Sequence, residues 1–231
     1  MLKGELKMSK KIYLSPSNQI NNLYAVGNTN ECEQCNRIAE YAKTALERCG
    51  FEVKKASQGQ NINTSISESN NWGADLHIPI HTNAFNGQTL GGTLVMIYSN
   101  ATENKKAGSA ILDAVAPISP GPDYSLRVNS SLAELNSTRA IAVYLEVEFH
   151  DHTAGANWIV NNAQAIGEAI CKGVCNYYGV NYTSESNTAD FSQKLYRVQI
   201  GAFKEKENAE NCLQKAKSAG FTDAFIKEVQ S

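Results

Sequence analysis

The chain of 231 residues predicts an α/β fold, a mostly parallel twisted sheet flanked by helices, with a small βαβ unit at its C-terminus. Three observations carry this. Short apolar runs of strand length alternate with stretches of helical periodicity. Two of those runs, Ala74 to Ala84 and Val143 to Phe149, are nearly continuous in apolar residues, as strands buried on both faces are, and each delivers a titratable side chain near its end. Glycines and polar turn residues punctuate the junctions.

Taken in order, Lys11 to Leu14 opens the first strand. Glu31 to Cys49 places Cys35, Ile38, Ala39, Ala42 and Leu46 on one stripe of an amphipathic helix, and Gly50 ends it. Phe51-Glu52-Val53 starts a second strand, Ile66 to Trp72 a short helix, Ala74 to Ala84 the strand of His77 and His81, and Gly92 to Tyr98 another strand. A helix over Ser109 to Val115 and a Pro- and Gly-rich loop from Pro117 to Asp123 follow. The strand ending at Phe149 and a long closing helix over Ala156 to Tyr178 complete a domain spanning 11–180.

Composition narrows the class of function. With 21 basic and 23 acidic residues there is no electrostatic case for nucleic acid. No stretch is apolar for long enough to span a bilayer. The segment 1–10, basic but without an apolar core, does not read as a secretory signal and is expected to be a disordered leader, with Met8 as the natural start. Mass spectrometry of the native chain tests that start. Six cysteines, with Cys32 and Cys35 in a C-x-x-C spacing and Cys171 and Cys175 one helical turn apart, read as reduced, packed thiols.

The chemistry lies in Glu31, in Ala74-Asp75-Leu76-His77-Ile78-Pro79-Ile80-His81-Thr82-Asn83-Ala84, and in Val143-Tyr144-Leu145-Glu146-Val147-Glu148-Phe149. Strands that end in a His and a Glu, beside a helix that begins with a Glu, point to metal-assisted hydrolysis. On these residues the chain resembles the zinc-dependent N-acetylmuramoyl-L-alanine amidases of the Amidase_3 type. The resemblance implies Zn2+ as cofactor, Glu31 and His81 as metal ligands, and Glu146 as the catalytic carboxylate. It also implies that the substrate is peptidoglycan, cut between N-acetylmuramic acid and L-alanine of the stem peptide. Without a secretory signal, the expected setting resembles that of a phage endolysin, which stays in the cytoplasm until release and then acts on the wall.

One position departs from that family. Where it has a His after the first strand, this chain reads Leu14-Ser15-Pro16-Ser17-Asn18-Gln19. If the late strand stays extended through His150, then Glu146, Glu148 and His150 share one face, which makes His150 a candidate third ligand or second acid/base group. Asn18 and Gln19 are the alternative ligands, though amide oxygens suit harder cations better than zinc. His77 reads as a buried histidine that hydrogen-bonds a neighbour, Glu148 as a charge at the cleft rim, and His152 as exposed. Candidate substrate contacts are Arg127, in a family loop facing the stem peptide, with Asn83 and Gln19. Two other functions fit the motifs: an inactive wall-binding protein, and a zinc peptidase cutting within the stem.

Asn181 to Lys194 has linker composition. Tyr196-Arg197-Val198-Gln199-Ile200-Gly201-Ala202-Phe203 then alternates like a strand, Asn208 to Ala219 has helical spacing, and Ala224-Phe225-Ile226 reads as a second strand. The segment 195–231 resembles half of a SPOR domain, which implies binding to glycan strands of peptidoglycan. Too small to bury its own core, it is expected to pair with a second copy in a homodimer or to dock on the catalytic domain.

Overall fold

The computed structural model describes residues 9–87, 90–185, 200–221 and 224–226. Its continuous apolar runs become neighbouring strands. β1 (Lys11–Pro16), β2 (Glu52–Lys55), β3 (Leu76–Asn83), β4 (Gly92–Ile97), β5 (Asp123–Val128) and β6 (Ile141–Phe149) form one six-stranded sheet in the order β2-β1-β3-β6-β4-β5. The pairings β1·β2, β1·β3, β3·β6 and β4·β5 are parallel, and β4·β6 is antiparallel. The reversal follows from the connection 84–91, too short for the crossover helix that a parallel return needs.

The helices cover the faces unequally. α1 (Glu31–Arg48), α2 (Ile62–Trp72), α3 (Thr102–Val115), α4 (Ala133–Asn136), α5 (Thr153–Asn161) and α6 (Ala163–Tyr178) belong to this unit. Ile12, Leu14, Ile78, Ile80, Val143, Leu145 and Val147 point to one face, where they pack against buried residues of α1, α3 and α6. At Gly167 the helices α1 and α6 approach so closely that a Cβ would lie 2.6 Å from Ala42 N. On the opposite face Leu135, Ala142 and Tyr144 make only a small cluster with Met96 and Leu132. That lightly covered face is where polar residues gather: Tyr13, Ser15, His77, His81, Tyr144 and Glu146 alternate with the core residues along β1, β3 and β6.

Several boundaries differ from the sequence reading, for identifiable reasons. α3 starts at Thr102 rather than Ser109 because its first turns are charged and carry no apolar stripe. The expected closing helix is two helices, α5 and α6, separated at Asn162, whose backbone (φ −122, ψ 19) leaves the helical region. Arg127, expected in a loop, lies in β5, an exposed edge strand whose mixed polarity hides it from a periodicity argument.

The chain divides into two compact units, 1–186 and 187–231. In the second, α7 (Lys206–Ser218) is the expected helix. Ile200 to Phe203 and Ala224 to Ile226 form no strand, contrary to the sequence reading, since a strand needs a ladder partner to persist. Residues 1–8, most of the linker and Tyr196 to Gln199 lie outside the described residues. Among the described residues no helix is long and apolar enough to cross a membrane.

Candidate active site

Glu31 owes its place to the start of α1. Asn30 caps that helix, its side-chain oxygen accepting from Glu33 N at 3.0 Å, and the helix dipole favours a carboxylate in the first turn. The Glu31 side chain is buried, and its Oε1 accepts from His81 Nδ1 at 2.7 Å. Asn22 Nδ2 donates to Oε2 at 2.7 Å, and Thr82 N lies 3.4 Å from Oε1. Burial acts to raise the Glu31 carboxyl, but the His81, Asn22 and Ser17 interactions outweigh it and hold the group below the usual range. For His81 burial acts downward, and the Glu31 hydrogen bond with the charges of Glu146 and Glu31 reverses it, leaving the imidazole above its ordinary value.

Glu146 is the register partner of His81 on the adjacent strand, so the two share a face at one ladder position. Its Oε2 is buried without a hydrogen-bond partner among the described residues. Burial, opposed by His81 and reinforced by Glu31, pushes its carboxyl up to about 7. A carboxylate that titrates near neutrality and has an unused oxygen is poised to accept and return a proton. Tyr144, two residues earlier on the same face, stacks on the His81 ring with centroids 4.5 Å apart and planes 19° from parallel.

The structure separates the three candidates for a further ligand. Gln19 Nε2 lies 3.3 Å from His81 Nδ1, while its Oε1 accepts from Asn22 Nδ2 at 2.8 Å. Asn18 is turned away, donating to Gln60 O at 3.1 Å. His150 is not brought to the pair. The β3·β6 register shifts between His81 and Asn83, placing Glu146 opposite His81 but Phe149 opposite Asn83. This extra residue in β6 breaks the alternation on which a shared face for Glu146 and His150 depended. His150 is instead buried against Thr82, its Nδ1 2.9 Å from both Oγ1 and O of that residue, and stacked on Tyr24.

Glu148 is fully buried rather than at the cleft rim, and it accepts from Gly92 N (2.9 Å), Phe149 N (2.8 Å), Ser119 Oγ (2.5 Å) and Gly121 N (3.1 Å). It ties the 119–121 loop to the sheet, and a Cβ at Gly121 would come within 2.5 Å of its Oε2. His77 is buried and pairs through Nε2 with Glu134 Oε1 at 3.2 Å, an oxygen that also accepts from Ser15 Oγ. His152 is half-buried. Asn83 follows His81 by two residues on the cleft face and accepts from Ala84 N. The register Tyr144↔Met96↔Arg127 puts the exposed Arg127 on that same face, two strands from β6. Sequence reasoning missed Asn22, Tyr144 and Glu134; the first two touch the Glu31–His81 pair, and only their spacing from Glu31 and Glu146 hinted at them.

The donor set suits a divalent cation. A carboxylate oxygen and an imidazole nitrogen converge at 2.7 Å, bridged by a proton that a cation can replace, with an amide alongside. Among the described residues no third His, Cys, Asp or Glu joins them.

Comparison with known proteins accords with this geometry. Residues 17–176 match the Amidase_3 family, described as N-acetylmuramoyl-L-alanine amidase, and residues 192–231 match the SPOR domain. The chain is 27% identical over 180 residues to a sporulation-specific N-acetylmuramoyl-L-alanine amidase of Bacillus subtilis (strain 168), covering 75% of this chain and 65% of that protein. It is 26% identical over 174 residues to the N-acetylmuramoyl-L-alanine amidase CwlM of Bacillus licheniformis, covering 75% and 64%. The chain therefore spans slightly less than two thirds of the length of these relatives. In fold it is similar to the catalytic domain of CwlV, an N-acetylmuramoyl-L-alanine amidase from Bacillus (Paenibacillus) polymyxa var. colistinus (TM-score 0.66, 15% identity, 74% of this chain and 99% of that one). It is equally similar to an N-acetylmuramoyl-L-alanine amidase from Clostridium difficile 630 (TM-score 0.66, 18% identity, 74% and 97%). With the match over 17–176 taking in well over half its length, the chain belongs to the N-acetylmuramoyl-L-alanine amidase family of the Amidase_3 type.

Proposed function

We propose that the protein hydrolyses the amide joining the lactyl group of N-acetylmuramic acid to L-alanine in peptidoglycan, with Glu146 as general base and Glu31 and His81 holding zinc beside the Gln19 amide. The observation that carries this reading is the buried, unpartnered Oε2 of Glu146 in register beside the Glu31–His81 pair. Zinc, when bound, supplies a Lewis acid that lowers the pKa of water and polarises the scissile carbonyl. Glu146 takes the water proton and returns it to the departing amine, a shuttle suited to a carboxyl that titrates near 7. Tyr144 fixes the plane of the His81 ring by stacking, and Asn22 holds Glu31 in place. Arg127, on the same face, is suited to a stem-peptide carboxylate.

The C-terminal unit, in this reading, holds glycan strands. Exposed Ile200, Phe203, Phe221, Phe225 and Ile226 support pairing of two such units into one sheet and hence a homodimer. A second reading, a wall-binding protein without hydrolytic activity, is favoured by the commitment of Asn18 to Gln60 in the loop where the family has its first His. Mass spectrometry of muropeptides after incubation with the zinc-loaded full chain decides between them. Products separated between the lactyl group and alanine are expected; intact muropeptides bound by folded protein favour the second reading, and cuts inside the stem indicate a peptidase.

A further inference from the structure

Away from the cleft, at the junction of α1 and α6, three cysteines meet. Cys49 closes the C-terminus of α1, and Cys171 and Cys175 lie one turn apart on α6, both fully buried. Their sulfurs all lie within 4.8 Å of one another, with Cys49 to Cys171 at 3.6 Å and Cys171 to Cys175 at 4.0 Å. Around a tetrahedral zinc with Zn–S of about 2.3 Å, sulfurs sit about 3.8 Å apart, midway between these two values. The C-x-x-C of Cys32 and Cys35 takes no part, so no motif in the sequence announces the cluster.

A backbone donor reaches one of the sulfurs. Thr183 N lies 3.3 Å from Cys49 Sγ and donates to it, and Thr183 is itself held by Arg48 Nε, which donates to its carbonyl at 2.9 Å. The Arg48 guanidinium is paired with Glu168, whose Oε1 and Oε2 accept from its Nη2 at 2.8 and 2.6 Å. Three thiolates and a divalent ion leave one negative charge, and the Thr183 N–H on Cys49 Sγ is a donor that can hydrogen-bond it. A cavity of about 170 Å³ lined by Ser9, Lys10, Cys49, Gly50, Phe51 and Tyr178 among others reaches Cys49 from solvent.

The geometry points to a second metal site, a zinc ion held by Cys49, Cys171 and Cys175 that clamps the end of α1 to α6. The site is structural, lies apart from the cleft, and stands whether or not the chain is an amidase. Each thiol gives up its proton to solvent on binding, and no oxidant is needed.

Cobalt substitution of the reduced full chain tests it. Thiolate ligation gives a near-ultraviolet charge-transfer band that a carboxylate and imidazole site does not. The band is expected to appear in the wild type, to saturate at one equivalent in His81→Ala, and to be lost in both Cys49→Ser and Cys175→Ala. Cys49 is only half-buried, so Cys49→Ser is expected to fold, as circular dichroism will check. In the wild type, zinc is expected to protect the half-buried Cys49 from alkylation while leaving Cys212 reactive. Absence of the band in reduced protein, its loss in His81→Ala, or isolation of a metal-free Cys49–Cys171 disulfide from reducing cytosol overturns the proposal.

Discussion

His81 and Glu146 are partners in the parallel ladder between β3 and β6, so a single rung presents an imidazole and a carboxylate on the same face of the sheet. The geometry gives them separate tasks. His81 is engaged by Glu31 and Tyr144, whereas Glu146 has an oxygen left free for chemistry. Glu146→Gln is therefore expected to lower amide hydrolysis by roughly 10²–10⁴-fold while leaving zinc content and thermal stability close to wild type. Loss of metal along with activity would instead make Glu146 a ligand.

Gln19 and His150 separate by the same logic. Gln19→Ala removes the amide next to His81 and is expected to weaken zinc binding about tenfold or more with little effect on Tm. His150→Ala empties a buried site beneath Thr82 and Tyr24, so it is expected to cost about 2–4 kcal/mol of stability and to leave the zinc affinity of the folded protein near wild type. Isothermal titration with zinc, paired with denaturant melts, measures both; the opposite pattern restores His150 as a ligand.

Fully buried, Glu148 accepts four hydrogen bonds, two of them from the 119–121 loop. Glu148→Gln sets an amide NH2 against donors and is expected to destabilise by about 3 kcal/mol, or roughly 10 °C in Tm for a domain of this size. An unchanged Tm would mean that the 119–121 loop is held by other contacts.

Asp75 links the start of β1 to β3 by accepting from Lys10 Nζ and Lys11 N, each at 2.8 Å. Burial acts to raise its carboxyl, and the Lys10 and Lys11 interactions override this to hold it below the usual carboxylate range. A folded-state value below the unfolded one gives stability that is present above the unfolded pKa and lost as pH falls through the folded one. With a third of the side chain exposed, screening limits the effect, so Asp75→Asn should cost about 1 kcal/mol at neutral pH. Urea melts of the two proteins are expected to converge below the ordinary aspartate range. A gap that persists there assigns the loss to packing.

How far the sequence reveals this protein differs by element. β3 and β6 are legible because strands buried on both faces read as apolar runs, and they bring Glu146 beside His81. α1 is legible from its stripe and its Asn30 cap. β5 is not, because an edge strand has little apolar demand on its side chains. His150 shows the deeper reason. Alternation along β6 is a local rule, but the register shift between Glu146 and Phe149 is set by pairing with β3, and one extra residue turns every later side chain to the other face. The thiol cluster was hidden for a related reason: Cys49 joins Cys171 across more than half the chain, and only the packing of α1 on α6 brings them together.

The central claim, metal-assisted cleavage at the cleft of Glu31, His81 and Glu146, is tested most directly by digesting purified peptidoglycan with the chain, with and without chelator, and counting new amino termini. N-terminal alanine that appears with the wild type, vanishes with chelator, returns with zinc and never appears with Glu146→Gln is the predicted result. Folded, wall-bound protein that frees no alanine at any zinc concentration would contradict it.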